Sequence, residues 1–408
     1  TFSLDHVSFD GDSSVDLSSS VVFPTGLLSA TINISTAAVR ALEAKPLLCN
    51  VLRPGSSCSL AVSAQFVEDG FGNAIVAETV AASLVIADVT PPGVVAFELD
   101  MTLHKLVITF SEVVQVSSAS PASLVLSNGV GSSVRLNSGT LVTSTSNATV
   151  VELTIGGEDL KQLELDPRLA SSAASTLLSV ESSFVVDMYG NAVSATSEIG
   201  TITFVRDSVK PTLVSWQLNM NFGLVTLRFS EVMNASSFDF GAVRIQDNAL
   251  AYAVNGEKLA AMQLSGGTLL SGNNDTLRVL LTARDLNLLK RLDGVATVEE
   301  NTYITLSAGG VGDMAGNGVV GVADGAALGA VAFVADTTPP SLTGFDLTQE
   351  RFGYPMRLLM RFSETVDVTT LDVTKLVLQE TDDLSQVSGT PEQKRLSGGT
   401  ASPVPSDN

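Results

Sequence analysis

The chain has 408 residues, and its 22 Lys and Arg against 43 Asp and Glu give a formal charge of −21, which excludes nucleic acid and anionic lipid as electrostatic partners. An apolar fraction of 45% is that of a globular protein, and the length predicts roughly two to four domains, each with its own core. The most apolar stretch, Gly318 to Ala335, is broken by Asp324 and made mostly of Gly, Ala and Val, so no membrane insertion is expected.

Residues 1–87 read as the later part of a repeating unit. Ala30 to Lys45 predicts a strand followed by a helix, Asp69 to Asn73 a turn, and the first two strands of the unit are missing. Residues 88–206 form a full period. Short apolar or alternating runs predict strands at Val94–Leu99, Leu106–Phe110, Leu124–Leu126, Val134–Leu136, Val150–Ile155, Phe184–Val186 and Ile202–Val205, with a turn at Leu103–Lys105. Gly157–Leu165 instead spaces Leu at helical intervals, which predicts a short helix passing from one sheet to the other. Residues 207–335 repeat this pattern, with the helix at Ala283–Leu292. Residues 336–408 supply the first two strands and two more, at Leu376–Leu378 and Lys394–Leu396. Short strands punctuated by Gly, Ser, Asn and Pro read as an all-β chain of tandem β-sandwich domains, each with a short helical insertion.

The repeat is carried by landmarks in fixed order. Asp88-Val89-Thr90-Pro91-Pro92, Asp207-Ser208-Val209-Lys210-Pro211 and Asp336-Thr337-Thr338-Pro339-Pro340 each precede an aromatic by nine residues from the Asp: Phe97, Trp216 and Phe345. These three are expected in the core. Phe-Ser-Glu follows at Phe110-Ser111-Glu112, Phe229-Ser230-Glu231 and Phe362-Ser363-Glu364, the last after a four-residue insertion around Arg351 to Pro355. Asp-x-x-Gly-Asn stands at Asp69 to Asn73, Asp187 to Asn191 and Asp313 to Asn317. A weaker Leu-x-Ser-Gly-Thr echo begins at Leu136, Leu264 and Leu396. The spacing between successive Asp lead-ins is 119 and 129 residues, a period that signals a domain array.

A Thr-Pro-Pro lead-in, a Phe-Ser-Glu closing the second strand and an Asp-x-Ala-Gly-Asn before the last strand resemble the bacterial Ig-like repeats of S-layer and adhesin proteins. Asp313-Met314-Ala315-Gly316-Asn317 is the best match, and the resemblance covers all three periods at these landmarks. It implies Ig-like sandwiches that serve extended spacing, surface assembly or adhesion, without catalysis. The function expected is therefore that of a structural repeat protein in an extracellular fibre or cell-surface assembly, with copies of itself as partners. A surface adhesin or glycan-binding protein with Ig-like spacers is the alternative. The incomplete first and last units have two readings: the sequence is a segment of a longer array, or strands of one chain complete the unit of the next and build a head-to-tail filament.

Carboxylates are the chemical groups that recur in position. An antiparallel first hairpin returns to its starting end, so Asp88, Glu112, Asp187 and Asn191 are expected to meet where one domain joins the one before it. Asp207, Glu231, Asp313 and Asn317 form a second set, and Asp336 and Glu364 begin a third. Hard oxygen ligands from separate loops suit Ca²⁺, which would stiffen each linker. The competing reading makes each Asp an Asx-turn acceptor and each Asp-x-x-Gly-Asn a simple turn. Asp10, Asp12 and Asp16 also cluster, without the Gly and bidentate Glu of an EF-hand loop.

Cys49 and Cys58 flank a Pro-Gly-Ser-rich loop, and a disulfide between them is expected, placing the protein in an oxidising, extracellular or cell-surface compartment. Asn-x-Ser/Thr sequons stand at Asn33, Asn147, Asn234 and Asn274, the second and fourth at nearly the same place in their repeats. His6 and His104 are far apart, and no nucleophile elbow, phosphate loop or His-Glu-x-x-His pair is present, so the chain is not expected to be an enzyme.

Overall fold

The computed structural model describes residues 7–9, 15, 17–26, 28–45, 48–50, 56–137, 140–250, 260–348, 356–382 and 392–402. The trio Asp10, Asp12 and Asp16, His6, and the insertion at 351–355 lie outside the described residues. The fold is all-β with short helices. It forms two compact units, one of Thr1–Lys210 with Asp313–Asn317 and the other of Pro211–Gly312 with Gly318–Asn408.

Along the first unit run β1 (Val7–Phe9), β2 (Val21–Pro24), β3 (Ala30–Asn33), α1 (Thr36–Glu43), β4 (Ser59–Val62) and β5 (Glu78–Ala81). Then come β6 (Val94–Asp100), β7 (Lys105–Val114), β8 (Leu124–Ser127), β9 (Ser133–Arg135), β10 (Leu141–Val142), β11 (Ala148–Thr154), α2 (Gly157–Leu165), β12 (Leu177–Val180), β13 (Thr196–Gly200) and β14 (Thr203–Val205). The second unit carries β15 (Leu213–Asn219), β16 (Leu224–Met233), β17 (Val243–Gln246), β18 (Ala261–Gln263), β19 (Gly267–Leu269), β20 (Asn274–Leu281), α3 (Ala283–Arg291), β21 (Tyr303–Leu306), β22 (Leu328–Gly329) and β23 (Ala332–Val334). It continues with β24 (Leu342–Thr348), β25 (Arg357–Phe362), β26 (Val377–Gln379) and β27 (Gln393–Arg395).

The two full periods share one topology. In the first, a five-stranded sheet ordered β10-β11-β7-β6-β14 and a four-stranded sheet ordered β13-β12-β8-β9 contribute to a common core. In the second, the orders are β19-β20-β16-β15-β23 and β18-β17-β21-β22. All pairings are antiparallel except the last strand of each period, which runs parallel to the first: β14 along β6, and β23 along β15. Alternation along the hairpins explains the packing. Phe97, Leu99, Leu106, Ile108 and Phe110 point inward from one sheet and meet Leu124, Leu126, Leu178 and Val180 from the other, all buried. Trp216, Leu218, Val225, Leu227 and Phe229 repeat that face in the second period, and Trp216 Nε1 donates to the Leu328 carbonyl at 2.8 Å. Each such side chain removed from water contributes about 1.5–3 kcal/mol.

The sequence-derived hairpins and helices fall where the pattern puts them, with one correction. Phe184–Val186 is not a strand. Within this run only Val186 makes a ladder contact, an isolated bridge to Ala192, while Phe184 and Val185 are buried in the core without strand partners. The strand lies a little earlier, at β12, paired with β8 and β13.

Helices α2 and α3 link the two sheets, and each is held by a buried acid in its first turn. Asp159 Oδ2 accepts from the Asn137 N–H (2.8 Å) and Thr140 Oγ1 (2.9 Å). Asp285 accepts from the Ser265 N–H (2.9 Å) and Ser265 Oγ (2.7 Å). The Leu-x-Ser-Gly-Thr echo thus has a physical cause: it is the loop that presents donors to the helix acid. Negative charge at a helix N-terminus also complements the peptide dipoles.

The outer segments contain parts of the same topology. In residues 1–87, the sheet β1-β4-β5 corresponds to β8-β12-β13, and β2-β3 to β10-β11. Their core of described residues is small: Val15, Leu17 and Ala38 are buried, with Leu60, Val62 and Phe66 half-buried beside them. In residues 336–408, β24-β25 corresponds to β6-β7, and β26-β27 to β8-β9. Here the expected core position fails: Phe97 and Trp216 are 0% and 1% exposed, whereas Phe345 is 53% exposed, and among the described residues of 336–408 the second sheet has two strands, β26 and β27, where the full periods have four.

Candidate metal centre

Every residue of Phe-Ser-Glu has a distinct role. The Phe fills the core. The Ser hydroxyl accepts the backbone N–H at the start of the hairpin's first strand: Gly93 to Ser111 Oγ at 2.9 Å, Thr212 to Ser230 Oγ at 3.0 Å and Ser341 to Ser363 Oγ at 2.9 Å. The same clamp sits beside a register shift in all three hairpins, between Val94 and Ala96, Leu213 and Ser215, and Leu342 and Gly344. The Glu then projects at the end of the hairpin where the chain enters the repeat.

Asp-x-x-Gly-Asn is a tight turn closed on itself. Its Gly is left-handed in all three copies, with φ of +85° at Gly72, +95° at Gly190 and +92° at Gly316, which is why a side chain is disfavoured there. Asp187 Oδ1 accepts from the N–H groups of Tyr189 and Asn191, both at 2.8 Å, while Asn191 Nδ2 donates to Asp187 Oδ2 at 2.7 Å and to the Asp88 carbonyl at 3.1 Å. In the next copy Asn317 Nδ2 donates to Asp313 Oδ2 at 2.8 Å and to Asp207 Oδ2 at 3.3 Å. Asn191 and Asn317 therefore reach the acids through their Nδ2 groups, as donors that position the carboxylates. At Asp69, bonds from the Asn73 amide and from the N–H groups of Asn73 and Phe71 hold the carboxyl below its ordinary range. Asp88, Asp207 and Asp336 each close an Asx turn, accepting from Thr90 (2.8 Å), Val209 (3.0 Å) and Thr338 (3.1 Å). The turn reading is realised in the geometry, and it leaves carboxylate lone pairs for other partners.

In the first unit these turns bring three acids together. One carboxylate oxygen each from Asp88, Glu112 and Asp187 lies within 4.8 Å of the others, with Asp187 buried and the other two half-buried. Two oxygens bound to one Ca²⁺ at about 2.3–2.6 Å stand at most about 5 Å apart, so the spacing and the donor chemistry fit the ion. Sequence reasoning missed a fourth acid, Glu43, at the C-terminus of α1. Its Oε2 accepts the Val113 N–H at 3.4 Å. Burial chiefly, with the charge of Asp88 adding to it, raises the Glu43 pKa. Burial, then Asp88, Asp187 and Glu43, push Glu112 up to about 7. Glu43 also opposes the negative end of its own helix dipole. Asp88, Glu112 and Asp187 thus offer three carboxylate oxygens that could hold a cation between them, and Glu43 lies near enough to couple to them electrostatically.

Glu231 occupies the Glu112 position on β16 and is half-buried. In the second unit the third set takes another form. Lys290, at the α3 position equivalent to Glu43, places its ammonium 2.9 Å from Asp336 Oδ2 and also bonds Glu364 Oε2. Its side chain is 11% exposed. Burial lowers the Lys290 pKa, but hydrogen bonds and charge from Asp336 and Glu364 together outweigh it and raise the value.

Cys49 and Cys58 form a disulfide, and among the described residues no helix is long and apolar enough to cross a membrane. Of the four sequons, Asn33 is exposed while Asn147, Asn234 and Asn274 are half-buried. Asn147 Oδ1 accepts the Val116 N–H at 3.1 Å; its structural equivalent is Asn273, which accepts from Ala235 at 3.0 Å, so Asn147 and Asn274 are one position out of step. Asn234 Oδ1 is occupied by the Ser236 N–H at 3.1 Å and its hydroxyl at 2.6 Å. His104 forms the left-handed corner of the β6–β7 turn, where the second repeat has Gly223.

No family model matches the chain, and no curated protein matches it. Among solved structures, Staphylococcus aureus TarS 217-571 aligns at 13% identity and a TM-score of 0.14 over 55% of this chain, a likeness too small to indicate a shared fold. The present chain spans 61% of that one.

Proposed function

We propose that this chain is a structural repeat protein of an extracellular fibre or cell-surface assembly, built of tandem Ig-like sandwiches whose acidic repeat boundaries are locked by cations. One observation carries the reading. The same Asp and Glu landmarks hold a protein ammonium at Asp336 and Glu364, and a fourth carboxylate, Glu43, replaces that ammonium at Asp88, Glu112 and Asp187. A position that takes a cation in one copy takes one in the other, and Ca²⁺ suits all-oxygen donors. A bound ion would cancel the repulsion among these acids and fix the turn, the hairpin end and the helix end against one another. Repetition of such boundaries suits a load-bearing spacer, and the Cys49–Cys58 disulfide suits an oxidising exterior.

Electron microscopy and small-angle scattering of the purified chain, with calcium and with a chelator, test the reading. Extended particles that stiffen with calcium support it; particles of unchanged dimensions in both conditions overturn it. The adhesin alternative requires an exposed aromatic platform, whereas the exposed Phe side chains among the described residues, Phe23, Phe71, Phe222 and Phe345, lie on four separate segments of the chain.

A further inference from the structure

We propose that the Cys49–Cys58 disulfide is a redox control on the acidic boundary of the first unit, acting through Asn50, which it holds against the turn that carries Asp187. The inference rests on the cation-site reading and names how that site is regulated. Asn50 directly follows the first cysteine and is 2% exposed. Its Nδ2 donates to the Met188 carbonyl at 3.0 Å, and Met188, itself buried, is the residue directly after Asp187. Glu43 lies seven residues before Asn50, and its Oε2 accepts the N–H of Val113, the residue directly after Glu112. The segment that leaves α1 thus grips the neighbourhood of two of the three clustered acids at once, Glu112 through Glu43 and Asp187 through Asn50. Asn50 is a positioning residue. Its bond fixes the Met188 peptide, and with it the turn whose Tyr189 and Asn191 N–H groups hold Asp187 Oδ1.

The disulfide keeps Asn50 in that place. Cys49 is left-handed, with φ of +53°, a conformation disfavoured for any residue with a Cβ. Its N–H donates to the Ser57 carbonyl at 2.8 Å, Leu48 bridges Ser57, and the Cys58 carbonyl accepts from Ala82 at 2.8 Å. The S–S bond therefore joins the segment leaving α1 to the start of β4, and opening it returns conformational freedom to the loop it closes. Both cysteines are half-buried, so a small dithiol reaches them from solvent. In thiol–disulfide exchange the S–S bond breaks, two electrons and two protons pass to the cysteines as thiols, and the dithiol closes to its own disulfide. Cys49 is then free to leave its left-handed conformation, Asn50 to leave Met188, and the acids lose their common geometry.

Two readouts on the full 408-residue chain test this. The first needs no metal. In chelator, hydrogen exchange at the Tyr189 and Asn191 amides should quicken about tenfold or more on reduction with dithiothreitol, and likewise in oxidised Asn50→Leu, which keeps the disulfide and loses the donor. The Asp313–Asn317 turn should keep its rate. Unchanged exchange at 189 and 191, in the reduced parent or in Asn50→Leu, overturns the inference. The second readout is calorimetry with calcium chloride. The oxidised parent should bind about tenfold or more tightly than the parent reduced and blocked with iodoacetamide, and Asn50→Leu should bind like the reduced parent in either redox state. Equal affinity in the oxidised and reduced parent overturns the inference and leaves the proposed function standing. An Asn50→Leu chain that still loses affinity on reduction overturns it too, because the disulfide would then act by another route. A parent that binds no calcium in either state overturns the proposed function, and the exchange rates alone then decide whether the disulfide governs the turn.

Discussion

Glu112 and Lys290 face the same problem with opposite means. Glu112 has a folded-state pKa of about 7, above its ordinary value of 4.5, so the folded chain holds this proton more tightly than the unfolded chain does. Without a divalent cation, stability of the first unit therefore falls as pH rises from about 4.5 through about 7. Denaturant titrations in chelator at pH 5 and pH 8 should show the higher midpoint at pH 5, and excess calcium should erase the difference. Glu112→Gln should remove most of that pH dependence, with a gain of about 1 kcal/mol in chelator at pH 8 once solvent screening of a partly exposed group is allowed for. Lys290→Ala should do the reverse in the second unit. It strands Asp336 and Glu364, whose Oε1 is already buried without a hydrogen bond, and should cost about 2–3 kcal/mol by urea unfolding at pH 7.

The elements were legible to differing degrees, for physical reasons. Hairpins such as β6–β7 announce themselves by strict alternation around a turn, and α3 by Leu spacing behind a capping Thr282. Strand β12 escaped because Leu177-Leu178-Ser179-Val180 is short and sits among Ser and Ala, whereas the denser apolar run Phe184–Val186 is a core-filling turn. Acids assembled from the Asp lead-in, the Phe-Ser-Glu and the Gly-Asn turn were readable from topology alone. Glu43 and Lys290 were not, because their helices bear no fixed sequence spacing to the hairpin they face; aligning the three helices by their caps would have found them. Two substitutions test the element-level account. Asp285→Ala should destabilise the second unit by about 2–3 kcal/mol, since the Ser265 N–H loses its partner and the helix its N-terminal charge. His104→Gly should stabilise the first unit by about 0.5–1 kcal/mol, because Gly adopts the left-handed corner without the Cβ penalty. Thermal melts compare both with the parent chain.

At the scale of the molecule, two full periods repeat one topology, and their boundaries are either neutralised within the chain or left acidic. That difference predicts a chain in which cation dependence is local: the Asp88–Glu112–Asp187 boundary responds to calcium, and the Lys290 boundary does not. The most direct measurement is calcium titration calorimetry of the 408-residue chain beside its Glu112→Gln and Lys290→Ala variants. Binding by the parent, with one site fewer in Glu112→Gln and no site lost in Lys290→Ala, is the result this account predicts. A parent chain that binds no calcium, or a Glu112→Gln chain that binds as many ions as the parent, would contradict it.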